Sequence, residues 1–395
     1  MRVVQNSNNI IRVLKLIYSN PGISRIEISK KLLLNRSTIT VVVNRLTELN
    51  IIEEIVESKS INKRGRARIG LKICEKTGIL LGIEMRTDSF VAVLVSLNGT
   101  VIETINKKAE ETKCFFEYFK NIYNSILKDI EKTNQPLLGI CVALSGIINT
   151  HKGIIRGSNP LGVSETENFY DEIKSFIDVP LFIENDANCG CWGELSNIEN
   201  TSSQDFIFVL GEFRKARFSG DNTHLLAIGL GIVIDNKVHY GKDYSAGEYQ
   251  SPQYVMGNKT QFSITDEEFS LIDSDIELIN KIKEDLSRDL AFLVNTLNLS
   301  QIIIGGDLGK YLDILEPTLK YEIQRNSSYK GYNSVSIKPS SKKVNSIAFG
   351  AASMIRENLF LTYENTSENP WTQKVGIELL NSFSTTIKNY KTTQN

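Results

Sequence analysis

The sequence predicts an α/β protein made of two unlike parts, a small basic helical module followed by a large acidic α/β body. Three observations predict it. Charge divides the chain: residues 1–75 hold 14 Lys and Arg against 6 Asp and Glu, 14 − 6 = +8, while the remaining 320 hold 31 against 40, or −9. Hydrophobic periodicity changes near Lys76-Thr77-Gly78, from apolar residues at helical spacing to strand-like runs that alternate with helices. Glycines stand at the carboxyl ends of several of those strands, where α/β sheets open ligand clefts.

The bulk numbers set the frame. A chain of 395 residues exceeds one ordinary core and predicts two or three domains. No apolar run approaches the ~20 residues that cross a bilayer. The start, Met1 to Asn8, carries no basic segment followed by an apolar one, so the expected compartment is cytoplasmic. Five cysteines, Cys74, Cys114, Cys141, Cys189 and Cys191, are too sparse and odd in number for a disulfide scaffold. Cys189 and Cys191 are one residue apart rather than at the two-residue zinc spacing, and the expectation for them is burial.

In the first part, Ile10, Ile11, Val13, Leu14 and Ile17 fall on one helical face, and Asn20-Pro21-Gly22 stops that helix. Ser24-Arg-Ile-Glu27 is a capping-box pattern that opens a second helix through about Leu32. A short turn leads to a third helix over about Arg36 to Leu49. Three short helices with a tight turn before the last make a helix-turn-helix. On the third helix Ile39, Val42, Val43, Leu46 and Leu49 share one face. Ser37, Thr40, Val41, Asn44 and Glu48 lie opposite, flanked by Thr38 and Arg45. Short polar side chains near a helix start can approach base edges in a major groove without burying an unpaired charge.

Two apolar stretches follow, Ile51 to Val56 and Ile69 to Ile73. Between them lies the basic run Lys59 to Arg68, with Lys63, Arg64, Arg66 and Arg68 around Gly65. Strand, basic tip and strand read as a wing suited to phosphates or a narrow minor groove. The expected contacts to double-stranded DNA are therefore Arg36, Ser37, Thr38, Thr40, Asn44, Arg45, Lys63, Arg64, Arg66 and Arg68.

The body alternates strands and helices. Strands are expected at Ile79 to Glu84, Val91 to Leu97, Leu138 to Leu144, Leu181 to Glu184, Phe206 to Leu210, Leu225 to Ile234 and Ile302 to Ile304. Helices are expected over about Cys114 to Lys132 and Asp275 to Leu297. Residues 357–395 are polar and are expected to be a C-terminal tail. Trp371 to Ile387 offers one amphipathic stretch, and a frayed terminus is the favoured reading.

Several motifs in the body occur together in order. They are Gly139 to Ile148, Gly153 to Pro160, Ile183-Glu-Asn-Asp-Ala-Asn-Cys-Gly-Cys-Trp-Gly-Glu194, Ala227 to Ile234, Ala246-Gly-Glu248 and Ile304-Gly-Gly-Asp307. On these residues the chain resembles the ROK family of repressors, open reading frames and kinases over about residues 1–356. The wing around Arg64-Gly-Arg is similar to that of the family's regulators. The resemblance implies a winged helix-turn-helix over 1–75, then a two-lobed actin-like ATPase, or sugar-kinase-like, ligand domain over 76–356. It implies that Asn185 and Asp186 hydrogen-bond a sugar, that Glu248 and Asn159 add polar contacts, and that Asp186 matches the family kinases' general base. It also implies a homodimer, or a dimer of dimers, on a roughly palindromic operator.

The departures from the family pattern point away from catalysis. Where family kinases carry an Asp-x-Gly-x-Thr phosphate loop, this chain has Glu84-Met-Arg86-Thr, with Arg86 at the Gly position. Where the family's zinc site has a His three residues after the Glu and then a Cys cluster, this chain has Ser251 and no later Cys. No metal, cofactor or catalytic residue is therefore expected. His151, His224 and His239 are read as structural or solvent-exposed. The expected function is a sugar-responsive transcriptional regulator. Two readings from other classes stay open. One is an active ATP-dependent sugar kinase with an appended DNA-binding domain, which the intact Asp186 favours. The other is a scaffold that binds no sugar, which the altered Tyr249 to Ser251 segment permits.

Overall fold

Ile10, Ile11, Val13, Leu14 and Ile17 form the buried face of α1 (Arg2–Ser19). Ser24 caps α2 (Arg25–Leu32) in a closed capping box: its hydroxyl accepts from the Glu27 N–H, and the Glu27 carboxylate accepts from the Ser24 N–H at 2.9 Å. Leu33, left-handed at φ 54°, turns the chain into α3 (Arg36–Glu48), which buries Ile39, Val42, Val43 and Leu46. β1 (Ile52–Val56) and β2 (Ile69–Ile73) pair antiparallel, and Ile23 bridges to Leu71 beside them. Together these elements are a winged helix-turn-helix. The computed structural model describes residues 2–56, 69–108, 110, 112, 114–196, 205–215, 224–272, 274–328, 334–342, 345–360, 379–389 and 392. The basic tip of the wing therefore lies outside the described residues.

The connection into the body is pinned. The buried Thr77 hydroxyl donates to Asn50 O at 2.7 Å and lies 2.8 Å from Cys74 O, which fixes the short turn Glu75–Thr77 against the end of α3.

The body begins with β3 (Ile79–Met85), β4 (Ser89–Ser96) and β5 (Val101–Lys108), followed by α4 (Phe115–Lys132) and β6 (Leu137–Leu144). A small antiparallel sheet comes next, β7 (Ile147–Asn149), β8 (Ile154–Gly157) and β9 (Glu167–Asn168). It leads through α5 (Phe169–Ile173) to β10 (Leu181–Asn185) and α6 (Asp186–Leu195). The second half is β11 (Phe206–Lys215), β12 (His224–Ile234), β13 (Lys237–Val238), α7 (Asp266–Phe269), α8 (Ile276–Leu297), β14 (Gln301–Gly306), α9 (Leu312–Arg325), β15 (Ser336–Pro339) and α10 (Ser346–Phe360). One sheet has the order β10-β6-β3-β4-β5 and the other β13-β12-β11-β14-β15. Both consist of three consecutive antiparallel strands followed by two parallel ones, so the two lobes repeat one topology.

The outer face of the first sheet packs on α4 and α5, and that of the second on α8 and α9. Between the sheets lie α6 and α10, in a core continuous with the helix-turn-helix. These two helices touch backbone to backbone. A Cβ added at Gly350 would stand 1.7 Å from Cys189 O, and one added at Gly82 would stand 1.9 Å from Ala348 O. Cys189 and Cys191 are fully buried in this layer, where a larger side chain has no room.

The structure corrects three sequence expectations. β11 continues past Leu210 to Lys215, because Phe213 and the facing strand β12 sustain the ladder through charged residues. α10 runs to Phe360, beyond the expected domain end at residue 356. The C-terminal segment is not wholly a polar, frayed tail. Residues 379–389 are helical, and Leu379, Leu380, Phe383 and Ile387 are buried in the core that contains α1 and α3. Those four apolar residues form a single stripe among polar neighbours, which average composition conceals. Residues 361–378 lie outside the described residues.

Because α6 and α10 meet without a side chain between them, Gly350→Ala should force the helices apart. We expect a loss of at least about 3 kcal/mol in urea denaturation. A stability within 0.5 kcal/mol of the wild type, roughly the range of neutral surface changes, would show that the helices can separate freely.

Candidate functional site

The turn from β10 into α6 carries the sugar-kinase-like signature. Asn185 is the N-cap of α6: its side-chain oxygen accepts from the Asn188 N–H at 3.1 Å, and its amide donates to Gly146 O at 3.0 Å. Glu184 is fully buried and organises the turn. Its carboxylate accepts from the Asn185 N–H at 2.8 Å, from the Tyr240 hydroxyl at 2.7 Å and from the Asn188 amide at 3.3 Å. Burial raises the Glu184 carboxyl above its ordinary range, and these donors pull it back. The cap after the strand is thus Asn185, and Asp186 begins the helix with its Oδ1 accepting from the Ala187 N–H at 2.8 Å.

The other oxygen of Asp186 belongs to a line of alternating charges. Arg214 Nη2 stands 2.6 Å from Asp186 Oδ2 and 2.7 Å from Glu212 Oε2. Arg86 Nη2 lies 3.1 Å from Glu212 Oε1, and Arg86 Nε donates to Glu84 Oε1 at 2.7 Å. Glu84 and Arg86 come from the end of β3, Glu212 and Arg214 from β11, and Asp186 from α6, so the line runs from one lobe to the other. Glu84, Asp186 and Glu212 are buried.

In this line Glu84 Oε2 has no hydrogen-bond partner among the described residues, and Glu212 Oε1 has only its 3.1 Å ion pair with Arg86. A proton shared between the two carboxyls would satisfy Glu84 Oε2 and relieve their repulsion. Burial and the neighbouring Glu212 push Glu84 up to about 8, against the pull of Arg86. Burial alone would raise Glu212 as well, but Arg214 and Arg86 hold it below its ordinary value. Asp186 is raised by burial, with Arg214 opposing.

Glu248 approaches Asp186 from the second lobe. It bridges to Gly229, where an added Cβ would stand 3.9 Å from Asp186 Oδ1. The preceding Gly247 has φ 91°, and a Cβ there would fall 1.8 Å from Leu230 O, so only glycine brings Glu248 this close to the strand. Burial and the charge of Asp186 raise the Glu248 carboxyl. Asn159 is exposed on the Ser158–Val163 turn and makes no side-chain hydrogen bond among the described residues. Contacts therefore draw Asn185, Asp186 and Glu248 together, but none of them includes Asn159.

At the position of the family's zinc ligands, hydrogen bonds to an amide hold the loop. Gln261 receives the Ile228 N–H at 2.6 Å and donates to Ile228 O at 2.9 Å and Tyr249 O at 2.6 Å, and Ser251 is buried beside it. No group of three or more His, Cys, Asp or Glu among the described residues is placed to hold a metal ion. His151 packs with Tyr240 and Tyr244 and hydrogen-bonds Tyr244, and burial lowers its pKa. His239 is exposed, and the His224 side chain lies outside the described residues.

On the helix-turn-helix, Arg36, Ser37, Thr40, Val41 and Asn44 are exposed together on α3, with Thr38 half-buried. The Thr40 hydroxyl donates to Arg36 O at 2.9 Å. Arg45 is also exposed but lines a crevice with Leu380, Asn381 and Ser384, on the side of the helix that meets segment 379–389. Lys63, Arg64, Arg66 and Arg68 lie outside the described residues.

Sequence reasoning missed Glu212 and Arg214, the partners that connect Asp186 to Arg86. The available signal was the alternation Glu212-Phe213-Arg214 continuing a strand beyond Gly211.

The shared proton has a pH consequence. Glu84 titrates near its ordinary 4.5 when unfolded and near 8 when folded, so between those values the native state binds more protons. Stability from this group is complete below about 4.5 and is lost as pH rises towards 8, with a slope of up to about 1.4 kcal/mol per unit. Glu84→Gln should flatten that fall, and its stability relative to the wild type should grow from pH 5 to 8. Parallel stability profiles for the two proteins would refute the shared proton.

Comparison with known proteins agrees with this architecture. A ROK family model matches residues 80–249, and a model described as winged helix-turn-helix DNA-binding matches residues 7–53. The chain is similar to the xylose repressor of Staphylococcus xylosus, with 28% identity over 314 residues, covering 78% of this chain and 76% of the relative. It is also similar to the DNA-binding transcriptional repressor Mlc of Escherichia coli, with 23% identity over 354 residues, covering 80% and 84% of the two chains. The fold is similar to the crystal structure of a ROK family transcriptional regulator homologous to E. coli Mlc, with a TM-score of 0.70 at 19% identity, covering 97% of this chain and 100% of that one. Residues 80–249 thus match the ROK family, behind a segment that matches winged helix-turn-helix DNA-binding modules, and the fold over nearly the whole chain is like that of a ROK family transcriptional regulator.

Proposed function

We propose that this protein is a transcriptional repressor of the cytosol whose affinity for a DNA operator is set by a monosaccharide bound between the lobes. The exposed polar face of α3 and the basic wing read the DNA, and Asn185, Asp186 and Glu248 hold the sugar, with Asn159 as an outer contact. Carboxylates and amides suit this task because each sugar hydroxyl both donates and accepts. Two chains, or two pairs of chains, place recognition helices on a roughly palindromic site. The xylose repressors among the relatives make D-xylose the first sugar to test, and the fold's likeness to a ROK family glucokinase in complex with glucose makes D-glucose the second.

The contact of Arg214 with Asp186 at 2.6 Å carries the regulator reading over a kinase. A general base must offer its oxygen to the proton it removes, and here a guanidinium holds that oxygen. Phosphoryl transfer also needs a backbone cradle and positive charge for the phosphates. Arg86 occupies the cradle's glycine position, and both arginines are already neutralised by carboxylates. What this arrangement retains is the ability to hold hydroxyls.

Two experiments test the reading. Arg64→Ala with Arg66→Ala should weaken binding to every duplex and reduce the salt slope by about one unit per lost phosphate contact, while Asn44→Ala should alter sequence preference. A fragment of residues 76–395 that binds DNA as tightly as the whole chain would refute this assignment. Asp186→Asn should weaken sugar binding by about 1–3 kcal/mol in calorimetry and leave sugar-free operator binding intact. ATP-dependent sugar phosphorylation by the wild type at ordinary kinase rates would establish the kinase reading instead.

A further inference from the structure

The last turn of α1 and the end of α10 meet through one buried cation. Arg356 is only 1% exposed and is the largest fully buried side chain among the described residues. Its guanidinium carbon lies 5.2 Å from the centre of the Tyr18 ring, a cation–π distance. The Tyr18 hydroxyl stands 3.3 Å from Glu357 Oε1. Arg356 Nη2 stands 3.5 Å from that same oxygen and 3.5 Å from Ser196 O. The β4–β5 turn closes over the guanidinium: a Cβ at Gly99 would lie 2.1 Å from Nη1. The hydrogen bonds of Arg356 are long, and its Nε has no partner among the described residues. A desolvated cation held mainly by a ring face and one carboxylate is sensitive to small displacements of either.

Ser196 is the C-cap of α6, whose first residue is Asp186. A helix of 10 residues spans about 15 Å, so α6 runs from the candidate sugar site to the Arg356 pocket. It packs closely on α10 and on the segment before it. Gly350 and Gly193 bring the two backbones together, and Ser340 Oγ and the Ser341 N–H bind Glu194 at 2.9 and 2.8 Å.

We propose that Tyr18, Arg356 and Glu357 form the joint through which displacement of α6 by a ligand reaches the DNA-binding module. Tyr18 and Arg356 are then coupling residues that touch neither sugar nor DNA. The proposal rests on the effector reading of the cleft. A shift of α6 carries Ser196 O with it, changes the position of the guanidinium under the Tyr18 ring, and re-aims α1 and the recognition helix packed on it. Binding linkage is reciprocal, so operator binding must also be felt along α6.

The test uses the full chain, a duplex that this chain selects from a random pool, and D-xylose and D-glucose as probes. Tyr18→Leu removes the ring and hydroxyl, Tyr18→Phe keeps the ring, and cooperative melting checks that each variant folds. On addition of the duplex, hydrogen exchange over residues 186–196 and 346–357 should change in the wild type and in Tyr18→Phe, and stay unchanged in Tyr18→Leu. An effective sugar should shift operator affinity by roughly tenfold in the wild type, within the usual range of coupling, and by less than about twofold in Tyr18→Leu with sugar affinity retained. Exchange over 186–196 that ignores the duplex in the wild type, or a Tyr18→Leu protein with full sugar response, overturns the joint. If neither sugar alters operator affinity but the exchange pattern holds, the joint stands and the choice of these sugars as effectors fails.

Discussion

The absence of side chains between α6 and α10 is the constraint on which the rest of the structure depends. Each helix lies against a different lobe, α10 on the first sheet at Gly82 and α6 on the second at Gly231 and Phe208. Cys189, Gly190, Cys191, Gly193 and Gly350 make these approaches possible because each is small. Helices in such contact cannot slide independently, since interiors are packed to crystal-like density. One end of the pair presents Asp186 to the cleft and the other presents Ser196 and Arg356 to the helix-turn-helix. The same packing thus fixes the position of the candidate ligand carboxylate and its mechanical relation to the DNA-binding module.

The charge line across the cleft depends on that geometry. Buried ion pairs often add little stability because desolvation offsets their attraction, whereas removing one partner is strongly destabilising. Glu84, Arg86, Glu212, Arg214 and Asp186 therefore act chiefly to define one relation between the lobes. Each arginine lies between two carboxyl groups. Both arginines of the line are thus paired with carboxyl groups, and Arg214 fixes the orientation of Asp186.

Hydrogen bonding holds the loop after Glu248. A metal would fix the loop after Glu248 by drawing several side chains to one point. Gln261 achieves a comparable result with one amide, whose three hydrogen bonds join β12 to the Tyr249 backbone. Buried backbone groups require partners, and the side chain of Gln261 supplies them to both segments at once. Glu248 thereby stays next to Gly229 and faces Asp186.

Much of the architecture was legible in the sequence because it is written in local periodicity. The capping box at Ser24, the apolar face of α3, the strand run Leu138 to Leu144 and the Glu184-Asn-Asp186 turn all depend on residues close along the chain. Arg86 and Ser251 were likewise read directly from the chain. Only the tertiary structure decided what those residues meet. Glu212 and Arg214 lie more than a hundred residues from Arg86 and join it through the pairing of two separate sheets. Tyr18 and Arg356 meet across almost the whole chain. The burial of Leu379, Leu380, Phe383 and Ile387 required a surface on α1 and α3 that no local pattern specifies. Periodicity reports which face of an element is apolar, whereas the partner of a buried charge is set by packing between distant segments, and that information is not local.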